Sequence, residues 1–173
     1  THAVAKQSAL SLGLQSNNLS ITLSPTSQGT FGESNSTNVS VITDNFTGYS
    51  LTIDAMDDGT SLVNSNDDEI ESLSSTTSSQ DFSTSSTYNN KWGYKPSQLY
   101  NSSTETTSAN TDFRPLPGTV GEIIAKTSCA NGTSPCTSAT DSYTLSIGTR
   151  VNNQTTIGQY VSDTFVITAV TNS

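Results

Sequence analysis

Tyr49-Ser50-Leu51-Thr52-Ile53 and Tyr143-Thr144-Leu145-Ser146-Ile147 place large apolar side chains on every second residue and hydroxyls between them. Leu19, Ile21 and Leu23 repeat the pattern, as do Phe165, Ile167 and Ala169. A period of two belongs to a strand with one buried face, because successive side chains of extended backbone point to opposite sides. No stretch carries a helical period over comparable length. The expectation is an all-β chain.

Working outward, strands are expected over residues 18–24, 37–43, 48–55, 119–127, 141–151 and 160–171, with turn chemistry at 25–33 and at Asp44-Asn45-Phe46-Thr47. Tyr88 to Tyr94, with Trp92 between, supplies a further core strand. Phe113-Arg114-Pro115-Leu116-Pro117 must be extended or lie at a sheet edge, since its prolines lack a donor. Asn101 to Thr111 reads as a polar loop. This spacing describes an Ig-like or pilin-like β-sandwich of about 7–9 strands.

Two segments stand apart. Residues 54–87 are acidic and then Ser/Thr-rich, as in an exposed insertion, with a short helical piece over 67–73 as one alternative. Residues 1–16 form an N-terminal extension with Leu10, Leu12 and Leu14 on alternate positions. An edge strand is one reading of 3–14, and a helix is the other, because Ala, Lys, Gln and Leu all favour helices. Residues 17–173 then make one domain.

Composition limits the function. Apolar residues are 31% of the chain and the net charge is −9, a balance shared with disordered chains, but the alternation above argues for folding. With 15 acidic residues against 6 basic ones there is no positive stripe for nucleic acid or for an anionic membrane. No run of about 18 apolar residues could span a bilayer. The start at Thr1, without Met, fits a mature product from which a leader has been removed.

Chemistry-bearing residues are few. Cys129 and Cys136 flank a turn-rich loop and are expected to close a disulfide in an oxidising compartment, with two free thiols as the alternative. The only histidine is His2, so a Ser-His-Asp site has no base, and the carboxylates cluster on one polar loop instead of a cleft. The expectation is no enzyme and no cofactor. Asp54, Asp57 and Asp58 raise a calcium site, but a helix-loop-helix register from Asp54 puts Met56 and Ser65 at ligand positions, which leaves a solvated loop as the stronger reading. Trp92, Tyr94 and Tyr100 would stack on sugar rings if exposed, or fill the core if not. Glycosylation sequons occur at Asn18, Asn35, Asn38, Asn45, Asn101, Asn131 and Asn153. Lys6 and Lys126 are conceivable donors for an isopeptide cross-link. Leu116-Pro117-Gly118-Thr119 has the start of a sorting signal without its last glycine or its apolar tail.

Four pieces in order, Asn45-Phe46-Thr47-Gly48-Tyr49-Ser50-Leu51-Thr52, Trp92-Gly93-Tyr94, Phe113 to Pro117, and Gly158-Gln159-Tyr160 followed by Phe165 to Val170, resemble secreted surface proteins of small-genome, Saccharibacteria-type bacteria. The similarity spans about residues 38–171. It implies an Ig-like or pilin-like sandwich at the cell surface and brings no catalytic residues. A broader likeness, to fibre subunits that exchange a strand, concerns architecture alone.

Two functions follow as expectations. The first is a structural subunit of a surface filament or pilus that self-associates by β-strand addition, with Leu10, Leu12 and Leu14 as the donor and the receiving site unassigned. The alternative is a monomeric adhesin or carbohydrate-binding module that meets host surfaces or glycans through Trp92, Tyr94 and Tyr100.

Overall fold

The computed structural model describes residues 9–127, 140–162 and 165–173. Its strands are β1 (Leu10–Leu14), β2 (Thr30–Glu33), β3 (Thr37–Thr43), β4 (Tyr49–Ala55), β5 (Leu62–Val63), β6 (Glu69–Ser72), β7 (Lys91–Pro96), β8 (Gln98–Asn101), β9 (Thr106–Ala109), β10 (Glu122–Thr127), β11 (Thr140–Val151) and β12 (Phe165–Thr171). Among the described residues one short α-helix occurs, α1 (Ser79–Thr84). The protein is all-β, as its alternation requires.

β11 organises the larger sheet. Along one side it pairs antiparallel first with β3 and then with β2, and along the other with β7, giving the order β1-β3-β11-β7-β6-β5 with β2 beside β3. The smaller sheet has the order β10-β4-β12. Val39, Val41 and Leu145 of the first sheet meet Leu51, Ile53 and Ile124 of the second in one buried cluster, which makes a sandwich. Burying each such side chain contributes roughly 1.5–3 kcal/mol. The alternation of β4 is therefore what holds the layers together: Tyr49, Leu51, Ile53 and Ala55 are buried, and the residues between them are not.

A second, smaller cluster closes one end. Phe82 meets Phe31 and Phe113 edge to face, with ring centroids 5.2 Å apart in each case. Gly148 makes room for this, since a Cβ there would come within 2.5 Å of Phe113 Cε1. Leu73, Phe82 and Ile70 are buried, so residues 54–87 supply core side chains as well as polar surface.

Several local expectations need correction. Residues 67–73 do not form a helix: Asp67 takes a left-handed φ of 63° in a turn, and β6 follows with Ile70 buried between exposed Glu69 and Glu71. The helix lies later, where Ser78 Oγ accepts from Asp81 N at 3.0 Å and donates to the Asp81 carboxylate, an N-terminal cap readable as Ser-x-x-Asp. Residues 101–111 are no loop throughout, because β8 and β9 form a hairpin. Residues 30–33 of the expected turn are strand β2. Conversely, residues 18–24 alternate in burial, with Leu19, Ile21 and Leu23 the more buried, yet belong to no ladder. They pack on β2, where a Cβ on Gly32 would meet Leu23 Cδ2 at 2.5 Å. Among the described residues, short polar pairs such as β8 and β9 add strands that carry no apolar alternation.

Candidate functional site

Of the aromatics proposed to hold sugar, Trp92 and Tyr94 are core residues. Trp92 and Tyr94 are 1% and 0% exposed. Trp92 Nε1 donates to Thr60 O at 2.9 Å, and the indole stacks on Phe165. Tyr94 donates its hydroxyl to Glu122, which also takes both Nε and Nη2 of Arg114. Burial first, and the Glu122 charge second, push the Tyr94 phenol well above its ordinary range. Tyr100 lies apart on the β8–β9 hairpin, with Lys126 Nζ 5.8 Å from its ring centroid. The three side chains therefore offer no common stacking face.

The other sequence candidates are dispersed. Asp54 is in β4, while Asp57 Oδ1 accepts from Gly59 N at 2.7 Å and Asp58 Oδ1 from Thr119 Oγ1 at 2.8 Å. Among the described residues no three His, Cys, Asp or Glu side chains gather to hold a metal. Cys129, Cys136, Asn131, His2 and Lys6 lie outside the described residues. Asn18, Asn35, Asn101 and Asn153 are exposed, and Asn38 and Asn45 are half-buried. No helix is long and apolar enough to cross a membrane among the described residues.

What the fold does bring together is a flank of strand edges. Among the described residues β1 pairs only with β3, Leu10 opposite Thr43 through Leu14 opposite Val39. β12 pairs only with β4 among the described residues. β1 lies beside β12, so both sheets end on this side. Neither strand has a charge, a proline or a bulge. Leu12, Leu14 and Val170 are 40%, 47% and 56% exposed.

The opposite flank is protected. β10 carries Glu122 and Lys126 and has a register shift between Ile123 and Ala125. The β8–β9 hairpin covers it, Thr107 Oγ1 accepting from Lys126 N at 3.0 Å and donating to Lys126 O at 2.9 Å. β5 has two residues, and Val63 exchanges two backbone bonds with Val161. Edges guarded in these ways resist pairing with other chains, and unguarded edges invite it.

Between β12 and residues 17–25 runs a groove of about 970 Å³, floored by Val39, Leu145, Ile147 and Trp92. Among the described residues none that lines it is charged.

No protein-family model matches the chain, and no curated protein or solved structure matches it. The site must be judged on its own geometry.

Sequence reasoning found the alternation of β1 and β12 but not their exposure on one flank. That depends on which strands each sheet places outermost, a long-range pairing that local pattern does not encode. It also missed Arg150, only 5% exposed, whose Nε, Nη1 and Nη2 donate to Asn89 Oδ1, Ser83 O and Gln28 O at 2.9, 2.5 and 2.9 Å. The signal was present, since a single arginine interrupts the apolar end of β11.

Proposed function

We propose that this protein is a structural subunit of an extracellular filament or pilus at a cell surface, assembling by β-strand addition with β1 as the donor. The observation that carries the reading is the contrast between the two flanks. One flank ends in short, charged, bulged or covered strands; the other ends in β1 and β12, uncharged and without a register shift. In a chain of net charge −9, strands without charged residues also let two copies meet with less like-charge repulsion.

Strand addition draws affinity from backbone hydrogen bonds and specificity from alternate side chains. Leu10, Leu12 and Leu14 provide that alternation. The glycan-binding alternative gains no support from Trp92 and Tyr94, whose faces are covered.

Electron microscopy and size exclusion of the full chain, beside a chain lacking residues 1–16, test the reading. Filaments from the full chain, lost on truncation, are expected. Well-folded monomers from both at every concentration would overturn it.

A further inference from the structure

We infer that the edge of β3 is the receiving site, and that β1 is exchanged between copies: Leu10–Leu14 of one chain takes, on the next copy, the register it holds on its own β3. This inference rests on the fibre reading above and names its two contacting strands.

Residues 9–16 behave as a separable unit. Their ladder and side-chain bonds run to residues 37–44: Asp44 N and Thr43 Oγ1 donate to Ala9 O, Gln15 N donates to Asn38 O at 2.9 Å, and Ser16 N donates to Thr37 Oγ1 at 2.9 Å. Among the described residues only Ser16 Oγ bonds elsewhere, to Asn18. All of these bonds can be remade between copies without loss, so exchange leaves the ladder unchanged and alters only the connection.

That connection suits a crossing. The chain is fixed again at Thr26, which bridges to Asn152 and whose carbonyl accepts from Asn153 N at 3.1 Å. Residues 17–25 between the two fixed points are in no ladder. Extended, nine residues reach about 30 Å, enough to pass from one copy to its neighbour. Ile21 and Leu23 pack on Gly32 of β2 and Ser24 O accepts from Thr30 Oγ1 at 3.0 Å, so a crossing connector exchanges these side-chain contacts but breaks no ladder. Residues 7–32 contain no charged side chain, so the donor and its connector approach another acidic copy without repulsion. Each chain gives one strand and receives one, which repeats a single heterologous contact along an open run.

The test uses Ser11 and Ile42, which face each other across β1 and β3. Directly opposed residues of antiparallel strands have Cα atoms about 5.5 Å apart, within disulfide range. Full-length chains carrying only Ser11→Cys are mixed, before refolding, with chains carrying only Ile42→Cys, then oxidised and run on denaturing gels. The parent chain under the same oxidation sets the background from Cys129 and Cys136, and a chain with both substitutions shows that the pair closes. The expected result is a covalent dimer several-fold above the parent, concentrated in the filament fraction. Filaments without that dimer would overturn the exchange and leave the fibre reading standing. A cross-linked species that stops at a closed dimer would support the exchange and overturn the filament. Monomers cross-linked only within the double variant would overturn both.

Discussion

The indole of Trp92 lies flat against the ring of Phe165, with centroids 5.7 Å apart and planes 9° from parallel, and so joins β7 of the large sheet to β12 of the small one. Because β12 has no ladder partner on its outer side among the described residues, this stack helps the β4 ladder and the packing of Ile167 and Ala169 to hold it. Phe165→Ala is expected to lower stability by about 3 kcal/mol, the low end for a large aromatic because Phe165 is only partly buried. Trp92 emission should be blue and poorly quenched in the parent and shift red in the variant. Urea melts followed by that emission check both. An unshifted melting midpoint would mean that β12 is held by other contacts.

Arg150 has its three donor groups on Asn89, Ser83 and Gln28, which lie in three separate segments. Arg150→Met removes the charge but leaves those acceptors facing an apolar chain. The expected cost is about 3 kcal/mol, because unsatisfied buried acceptors keep their desolvation penalty. Arg150→Lys cannot reproduce the fork and should recover only part of it. Thermal unfolding of the three chains gives the order.

Alkali should unfold the protein through its buried phenols. Tyr49 is raised by burial first, then by its hydrogen bonds to Asp141 and Tyr143; Tyr94 and Tyr143 are raised with burial as the leading cause. A raised folded-state value means that the folded chain keeps protons which the unfolded chain releases. The stabilising contribution is therefore intact below the unfolded phenol value, near pH 10, and falls above it by about 1.4 kcal/mol per pH unit for each such tyrosine. Denaturant melts from neutral pH upward should be flat until that point and then fall steeply. Tyr49→Phe should make the fall shallower.

How far the sequence could be read depended on what a side chain reports. In β3, β4, β11 and β12 the alternating residues sit against a second layer, so burial and ladder coincide and period two finds the strand. At Leu19, Ile21 and Leu23 burial alternates too, but hydrogen bonding is decided by a neighbour that local sequence does not name, and the strand is absent. β8 and β9 pair through backbone with mostly polar side chains, leaving no apolar signal. The donor residues were legible as an alternating set. Their position on an unguarded flank was not, because β10's protection comes from a hairpin whose Thr107 is just another threonine in the sequence.

Charging the exposed flank should separate assembly from folding. Val170 is 56% exposed on β12 and lies beside the ladder to β4 without a second neighbour among the described residues. Val170→Lys adds the kind of residue that guards natural edges. Stability should change by about 0.5 kcal/mol or less, as at ordinary surface positions. Sedimentation should show fewer or shorter assemblies at the same protein concentration. Filaments unchanged in length would confine the interface to β1 and β3.

Asn172 fastens the end of the small sheet and in doing so bonds to Asn45, the first residue of one of the seven sequons. Its Nδ2 donates to Thr47 O at 2.8 Å and to Thr127 O at 2.9 Å, its Oδ1 accepts from Ser50 Oγ at 2.8 Å, and its carbonyl accepts from Asn45 Nδ2 at 3.1 Å. Asn45 Nδ2 is held further by Thr47 Oγ1 and Gly48 O. A glycan linked to that nitrogen would displace these bonds. At Asn101 the case is different: the side chain is exposed at the hairpin turn, and its Oδ1 accepts from Ser103 N and Thr104 N, so the nitrogen is spared. Folded chain offered to a glycosylating extract is therefore expected to gain sugar at Asn101 and not at Asn45, read by peptide mass. Asn172→Ala should cost about 2 kcal/mol, from the loss of its three side-chain bonds at an end that is only partly buried. The same substitution should raise occupancy at Asn45, because the loop from Asp44 to Gly48 loses its anchor. Equal occupancy at Asn45 in both chains would show that this loop opens without help from Asn172.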